Sequence, residues 1–191
     1  MKKEELYRIF SHIPQLNTER LLLREMRVSD AADMFDYARR ADVTEYLTWS
    51  THTSARYTRE YLEYLAGRYR IGAHYEWAVV DRASRRMIGT CGFARIDCEH
   101  NIGELGYVLH PDFWGRGLAV EAGRAVLDFG FRTLKLHRIE ARYMVENTRS
   151  HRVMEKLRMQ HEGVARGRLL IKGRYRDIGT AAILCDEFLS E

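Results

Sequence analysis

The sequence predicts an α+β (mixed α/β) fold in which helices flank one mixed, mostly antiparallel sheet. Apolar runs separated by polar turns between residues 76 and 109 are typical of antiparallel strands. The next stretch, up to residue 145, alternates strand, helix and strand, and such a unit brings two strands together in parallel. A length of 191 residues fits a single domain over 1–191, in which 1–15 form an N-terminal, helical extension.

Composition excludes several classes of protein. Hydrophobic residues make up 46% of the chain and glycine and proline are few, which excludes collagen-like and disordered chains. The net charge of +4 supports no more than a modest attraction to anionic ligands. Three cysteines without a C-x-x-C pair, and a start without the apolar region of a signal peptide, predict a reducing, cytoplasmic setting. No membrane span is expected, because no apolar run is long enough.

In the first part of the chain, the residue pattern predicts a short helix over 3–13 and a strand over 20–27. Ser29 is expected to cap the next helix. Apolar residues spaced for one buried face of that helix are Ala31, Met34, Phe35 and Ala38. A further helix over 54–71 carries a stripe expected in the core, formed by Tyr57, Tyr61, Tyr64, Leu65 and Tyr69.

The rest of the chain predicts strands interrupted by two helices. The strands are expected over 77–80, 87–96, 102–109 and 137–145, with two more within 161–189 joined near 172–174. The helices are expected over 118–132 and 148–158, the first burying Leu118, Ala122, Ala125, Val126 and Phe129.

The segment 104–119 is the candidate site, because a strand ends there and a helix begins after two closely spaced glycines, Gly115 and Gly117. Free backbone N–H groups at a helix start bind phosphate well, and Arg116 adds a positive charge. A tight strand-to-helix turn without a ligand has the same spacing.

Three kinds of nucleotide loop compete for this segment. A P-loop requires Gly-Lys-Ser or Gly-Lys-Thr, which the chain lacks. A dinucleotide fingerprint requires glycine where Val120 stands, and the upstream hairpin disagrees with a parallel sheet. The third hypothesis is the pyrophosphate loop of acetyl-CoA-dependent acyltransferases, in which the preceding strand splays away from its neighbour.

Several segments in order resemble the GNAT superfamily of N-acetyltransferases and, within it, the RimJ/RimL branch that acetylates protein N-termini. They are ERLLLR (19–24), IG (88–89), GYVL (106–109), WGRGLAVEA (114–122), RIEAR (138–142), NTRS (147–150), EKL (155–157) and GRYRD (173–177). The chain departs from the family pattern at three places. Asp112 stands in place of Gln or Arg, and Arg158-Met159 stand in place of Gly-Phe. Met154 stands where many relatives carry a tyrosine that protonates the departing thiolate.

The resemblance implies acetyl-CoA as cosubstrate, bound where the sheet is splayed. Implied contacts to the cosubstrate are the strand backbone of Tyr107, Val108 and Leu109, the loop residues Trp114, Gly115, Arg116, Gly117, Leu118 and Ala119, and the side chains of Asn147 and Ser150. Asn147 is favoured as a cosubstrate contact over the alternative of a simple helix N-cap, and the alternative for Ser150 is a polar residue of the first helical turn.

Two residues are predicted to be catalytic, Glu104 and Ser150. Strand alternation places Glu104 with Gly106 and opposite Tyr107, where its carboxylate would accept the amine's proton directly or through water. The alternative for Glu104 is a solvated or ion-paired carboxylate. The resemblance places the hydroxyl of Ser150 near the cosubstrate's sulfur, where it would donate a hydrogen bond or a proton.

The acceptor implied by the branch is a protein N-terminal α-amine such as that of a ribosomal protein, with small amines or antibiotics as the alternative. Relatives carry aromatic residues at the acceptor wall, which here are Tyr46, Trp49 and Tyr175; each fits an ordinary core position as well. A homodimer is compatible with the branch. No H-E-x-x-H pattern predicts a metal, and His110 and His137 are expected to serve local packing or the surface.

A non-catalytic alternative is an RNA- or ribosome-binding module. Basic residues with even numbers would share one face of the last hairpin: Arg166, Arg168, Lys172, Arg174 and Arg176. Such a row is usually only a solvated face, so nucleic-acid binding is not favoured.

Overall fold

A computed structural model describes residues 1–190 as one eight-stranded sheet flanked by seven helices. The strands are β1 (Leu16–Asn17), β2 (Leu21–Arg24), β3 (Glu76–Asp81), β4 (Met87–Asp97), β5 (Ile102–Leu109), β6 (Arg138–Met144), β7 (Gln160–Ile171) and β8 (Arg174–Leu184). The helices are α1 (Lys3–Phe10), α2 (Ala31–Ala38), α3 (Ala41–Thr44), α4 (Ala55–Arg70), α5 (Leu118–Arg132), α6 (Thr148–Lys156) and α7 (Cys185–Leu189).

The sheet is mixed and mostly antiparallel, which confirms the predicted fold class. Its spatial order is β1-β2-β3-β4-β5-β6-β8-β7, and within residues 1–190 only β5 and β6 pair in parallel. The central strand β4 is buried from Met87 to Phe93, and both α2 and α5 pack against it. Because α4 packs on α2 and α6 on α5, the helices form two layers around the sheet.

The N-terminal segment belongs to the core. Leu6 and Phe10 of α1 are fully buried, and the Phe10 ring meets those of Trp77 and Phe129 edge to face at 5.6 and 6.1 Å. The indole N–H of Trp77 donates to the carbonyl of Pro14 at 2.7 Å, which fastens the segment after α1 to β3. Removing α1 would therefore uncover aromatic core residues.

Several local predictions are wrong in detail. Ser29 does not cap α2; the carboxylate of Asp30 accepts from the backbone N–H of Arg27, and Tyr37 is buried where Phe35 was expected to be. Tyr57 and Tyr64 are 50% and 61% exposed, because the buried line of α4 passes instead through Thr58, Leu62, Leu65 and Tyr69. Ala125, expected to be buried by its helix, is only half-buried.

The sheet opens between β5 and β6. The two strands pair only at three positions, Ile102 with Arg138, Gly103 with Ile139 and Glu104 with Glu140. Beyond them β5 remains paired with β4 as far as Leu109, while β6 remains paired with β8 as far as Met144. This separation is the splay that the family resemblance implied.

The last hairpin does not present a continuous basic row. A register shift between Ala165 and Leu169 interrupts the alternation, and the N–H of Gly167 donates to Asp177 there. Arg176 pairs with Glu146, and the ammonium of Lys172 donates to the carbonyl of Thr44. The geometry therefore removes the regular spacing on which the nucleic-acid alternative depended.

None of the helices within residues 1–190 has the length and apolar character needed to cross a bilayer.

Candidate active site

A cavity of about 560 Å³ lies where β5 and β6 separate. Its walls come from β5, the loop before α5, the first turn of α5, β6, α6 and the α3 region. Predicted cosubstrate residues that line it are Tyr107, Val108, Leu109, Trp114, Gly115, Gly117, Leu118, Ala119, Asn147 and Ser150. The structure thus brings residues as far apart in sequence as Asp42 and Lys156 together around one space.

The glycine loop is built to keep its backbone open. Gly115 and Gly117 have φ of 75° and 77°, a left-handed conformation that favours glycine, and Gly117 caps the start of α5. Nothing lies within 4 Å of a Cβ built on Gly115. The indole of Trp114 donates to the carbonyl of Leu109 at 2.7 Å, and Arg20 donates to the carbonyl of Arg116 at 3.0 Å. The loop therefore leaves its amides and the helix start facing free space, as a diphosphate requires.

Positive charge reaches the cavity from α6 rather than from Arg116. The Arg116 guanidinium lies over the ring of Phe113 at 5.2 Å, and the residue is not part of the cavity wall. Arg149, Arg152 and Lys156 of α6 do line the cavity, and Arg149 lies 4.3 Å over the ring of Trp114. These cations are not among the predicted site residues, although their i, i+3, i+7 spacing predicts one basic helix face.

A hydrogen-bonded group joins β5 to α6 at the cavity. The hydroxyl of Tyr107 lies 2.9 Å from both the backbone oxygen and the Oγ of Ser150, while the side-chain oxygen of Asn147 accepts from the N–H of Ser150. Burial raises the pKa of Tyr107, so its phenol stays protonated. Asn147 is thus the N-cap of α6 and a cavity residue at once. The prediction for Tyr107 concerned its backbone only, so the role of its hydroxyl was not expected from the sequence.

Glu104 stands at the last position where β5 pairs with β6, outside the cavity wall. Both of its oxygens accept from the guanidinium of Arg142 on β6, with the Nε contact at 2.9 Å. This two-point ion pair bridges the strands where they part. A proton acceptor held in this way must first lose a charge-assisted hydrogen bond, and the predicted base role of Glu104 stays a prediction.

The three aromatic residues predicted for the acceptor wall do not converge. Tyr46 lines the cavity together with Val43 and Leu47. Trp49 packs against the core outside the cavity, with its ring 5.5 Å from that of His52. Tyr175 is 73% exposed on the last hairpin and is likewise outside the cavity wall.

Two other expectations concern metals and histidines. Within residues 1–190 no group of three or more histidine, cysteine, aspartate or glutamate side chains is arranged to hold a metal ion. His110 is buried in the turn after β5, where its Nδ1 accepts from the backbone N–H of Asp112 at 3.1 Å and its Nε2 lies 3.3 Å from Asp36. The ring thus shapes the turn that precedes the glycine loop.

Comparison with known proteins agrees with this geometry. The family described as acetyltransferase (GNAT) domain matches residues 20–160. An N-acetyltransferase of Bacillus licheniformis called p20 is 35% identical over 91% of this chain and 97% of its own. The ribosomal protein uS5 alanine N-acetyltransferase of Escherichia coli is 29% identical over 87% of this chain and 90% of its own.

Among solved structures, a GNAT-family acetyltransferase from Bacillus anthracis has a TM-score of 0.81 and 31% identity, covering 91% of this chain and all of its own. The splayed strands, the open glycine loop and the basic helix face fit acetyl-CoA, the cosubstrate of this family. The chain therefore belongs to the GNAT acetyltransferase family and is an acetyl-CoA-dependent N-acetyltransferase.

Proposed function

We propose that the acetyl acceptor is a single primary amine, the N-terminal α-amine of a protein such as a ribosomal protein. The observation that carries this proposal is the charge of the cavity wall, which contains one carboxylate, Asp42, and four cationic side chains: Arg142, Arg149, Arg152 and Lys156. A polyamine or aminoglycoside presents several positive charges and needs several carboxylates around it. A single ammonium group does not.

An α-amine also suits the chemistry better than a lysine side chain does. Its pKa is about 8, against about 10.4 for lysine, so a larger fraction is neutral and nucleophilic at pH 7. Arg142 is paired with Glu104, so the three cations of α6, Arg149, Arg152 and Lys156, are the ones that would balance the phosphates of the cosubstrate. The Tyr46 ring, at the same wall as Val43 and Leu47, supplies apolar contact for the first residue of the acceptor.

The residues of this chain would act in order during transfer. The backbone of Tyr107 to Leu109 positions the pantetheine arm, and the amides after Trp114 hold the diphosphate. The neutral amine attacks the acetyl carbonyl carbon, a C–N bond forms, and the C–S bond breaks. Ser150, held by Tyr107 and Asn147, donates a hydrogen bond to the departing sulfur, which takes the proton that the nitrogen releases.

A thiol-release assay with acetyl-CoA tests the acceptor. We expect peptides with a free N-terminal Ala or Ser to give a kcat/KM at least about tenfold above that of spermidine or an aminoglycoside, a difference of about 1.4 kcal/mol. The same peptides with a blocked N-terminus and an internal lysine are the matched control and should be inactive. A preference for the polyamine or the antibiotic would overturn the proposal. The homodimer and the cytoplasmic location stay predictions.

A further inference from the structure

A second glutamate lies near the cavity, on the opposite side of β5 from Tyr107. Glu76, the first residue of β3, pairs with Gly92 of β4, and Gly92 pairs with Gly106 of β5. Residues paired across neighbouring strands point to the same face of a sheet. Two of the three positions in this row are glycine, so no side chain separates Glu76 from β5.

The close approach of β3 and β4 leaves no room for a side chain at Gly92, and the carboxylate of Glu76 lies in van der Waals contact with the position of Gly106. A Cβ built on Gly92 would lie 2.3 Å from the Cα of Glu76, and one on Gly106 would lie 3.8 Å from Oε1 of Glu76. Gly106 lines the cavity, and the neighbouring Ala94 is exposed. The carboxylate of Glu76 therefore lies over the bare backbone of a cavity residue, with 26% of its side-chain surface accessible.

The carboxylate is not neutralised by its surroundings. Among residues 1–190 the one ion-pair candidate is His74, whose Nε2 lies 3.7 Å from Oε2 of Glu76. Burial, with Arg68 nearby, lowers the pKa of His74 to about 4, so the ring is neutral. That Nε2 is buried and has no hydrogen-bond partner in the described chain. Glu104, by contrast, has both oxygens occupied by Arg142.

The titratable side chains around Glu76 are uncharged, so none of them neutralises its carboxylate. The titratable groups around it are His74 before β3, Tyr37 of α2, and Tyr61 and Tyr69 of α4. Cys91 of β4 is also close enough to interact with it electrostatically, although it points to the other face of the sheet. Burial raises the pKa of each tyrosine and of the cysteine, so all of them are uncharged. The Tyr69 hydroxyl also donates to the backbone oxygen of Glu76 at 2.6 Å, which fixes the start of β3. Burial raises the pKa of Glu76 itself to about 7.

We propose that Glu76, reaching over Gly92 and Gly106, is the general base that deprotonates the acceptor amine. The acceptor ammonium gives one proton to the carboxylate, directly or through one water, and becomes a neutral amine. The amine then attacks the acetyl carbon, the thiolate leaves with the second nitrogen proton, and protonated Glu76 returns its proton to solvent. This inference rests on the N-acetyltransferase reaction and not on which amine is the acceptor.

Isosteric variants test the assignment. Glu76→Gln should lower kcat for an α-amine peptide by about a hundredfold at pH 7, the low end of what a proton-transferring group contributes. The dissociation constant for CoA should change less than twofold. Glu63→Gln, at an exposed glutamate of α4, makes the same chemical change away from the cavity and is the matched control. Glu104→Gln tests the other candidate base, and this variant should retain the pH profile of the unmodified enzyme.

The pH profile separates a base from a structural group. In the unmodified enzyme kcat/KM should fall as pH drops below about 7, because Glu76 takes up a proton, and this limb should be missing in Glu76→Gln. At pH 9 the α-amine is already neutral, since its pKa is about 8, so the defect of Glu76→Gln should shrink to a few-fold. Glu76→Asp, which keeps a carboxylate, should recover part of the activity at pH 7.

Several outcomes would overturn the assignment. They are a Glu76→Gln enzyme within threefold of the unmodified kcat at pH 7, an equal defect at pH 7 and pH 9, or loss of the acid limb in Glu104→Gln instead. If Glu76→Gln fails to fold, the Glu76→Asp variant decides: an unchanged pH profile and full activity with its shortened side chain would exclude a positioned base. If the acceptor proves to be a polyamine, the same comparison is made with that amine, so failure of the acceptor proposal remains distinct.

Discussion

The two faces of β5 differ in how their polar groups are paired. On the α6 face the Tyr107 hydroxyl contacts the backbone oxygen and the hydroxyl of Ser150, and the side-chain oxygen of Asn147 accepts from the backbone N–H of Ser150. On the α4 face Gly106 leaves its surface bare beneath the carboxylate of Glu76, and no cation lies beside that carboxylate within the described part of the chain, since His74 is neutral. The polar groups on the cosubstrate side of β5 are hydrogen-bonded to one another, whereas the carboxylate that we propose to exchange a proton is left without a charged partner, at a cost in stability.

The largest effect in this comparison should come from the paired face. Ser150→Ala removes the hydrogen bond to the leaving sulfur and should lower kcat by about a hundredfold, while Tyr107→Phe, which only orients Ser150, should lower it about tenfold. Both variants should bind CoA with nearly unchanged affinity. Thiol release at saturating acetyl-CoA measures the effect, and full activity in Ser150→Ala would leave that residue a structural cap only.

On the unpaired face, removing the charge of Glu76 should lower activity but raise the free energy of unfolding. A pKa of about 7 in the folded state, against an ordinary 4.5, means that ionising Glu76 destabilises the fold; the penalty is absent below pH 4.5, grows between 4.5 and 7 and is complete above 7. Glu76→Gln should therefore stabilise the protein by about 1–3 kcal/mol at pH 8. Urea unfolding at pH 8 and pH 5 should show the gain shrinking at the lower pH; a loss of stability at pH 8 would show a paired carboxylate.

The next prediction concerns how the glycine loop contributes to CoA affinity. Gly115→Val should weaken CoA binding about tenfold, because its side chain would enter the space for the diphosphate, a loss of about 1.4 kcal/mol. Gly173→Val is a matched control, since Gly173 has φ of 76° and equally open surroundings but lies in the turn between β7 and β8. Both variants carry the same backbone strain. Equal CoA affinity in the two, measured by calorimetry, would contradict the proposed loop.

The smallest effect is expected at the ion pair that bridges the splay. Glu104 is 17% and Arg142 34% exposed at the side chain, so solvent screens part of their attraction. A double-mutant cycle of Glu104→Gln and Arg142→Gln should give a coupling of about 1 kcal/mol in urea unfolding. A coupling near zero would mean that strand pairing alone sets where β5 and β6 part.

Prediction from sequence succeeded where local patterns repeat. The bounds of β5 and α5 agree with the expected 102–109 and 118–132, because alternation and helical spacing are strong there and a glycine turn separates the two. Tyr57 and Tyr64 show the limit of this reasoning, since an apolar stripe does not reveal how much of its width a neighbouring helix covers. The ion pair between Glu104 and Arg142 could not be predicted either, because it joins two strands through residues 38 apart in the sequence.

The sequence by itself determined the strand–glycine loop–helix segment, the class of fold and the family, because these depend on spacing between residues close in the chain. The tertiary structure alone decided which carboxylate is paired and which is not. Glu76, Gly92 and Gly106 form one row only because β3, β4 and β5 pair in a particular register, interrupted by bulges in the β3–β4 and β4–β5 ladders. A shift of one residue would turn Glu76 to the other face of the sheet, so its proton affinity is a property of strand register and not of any local motif.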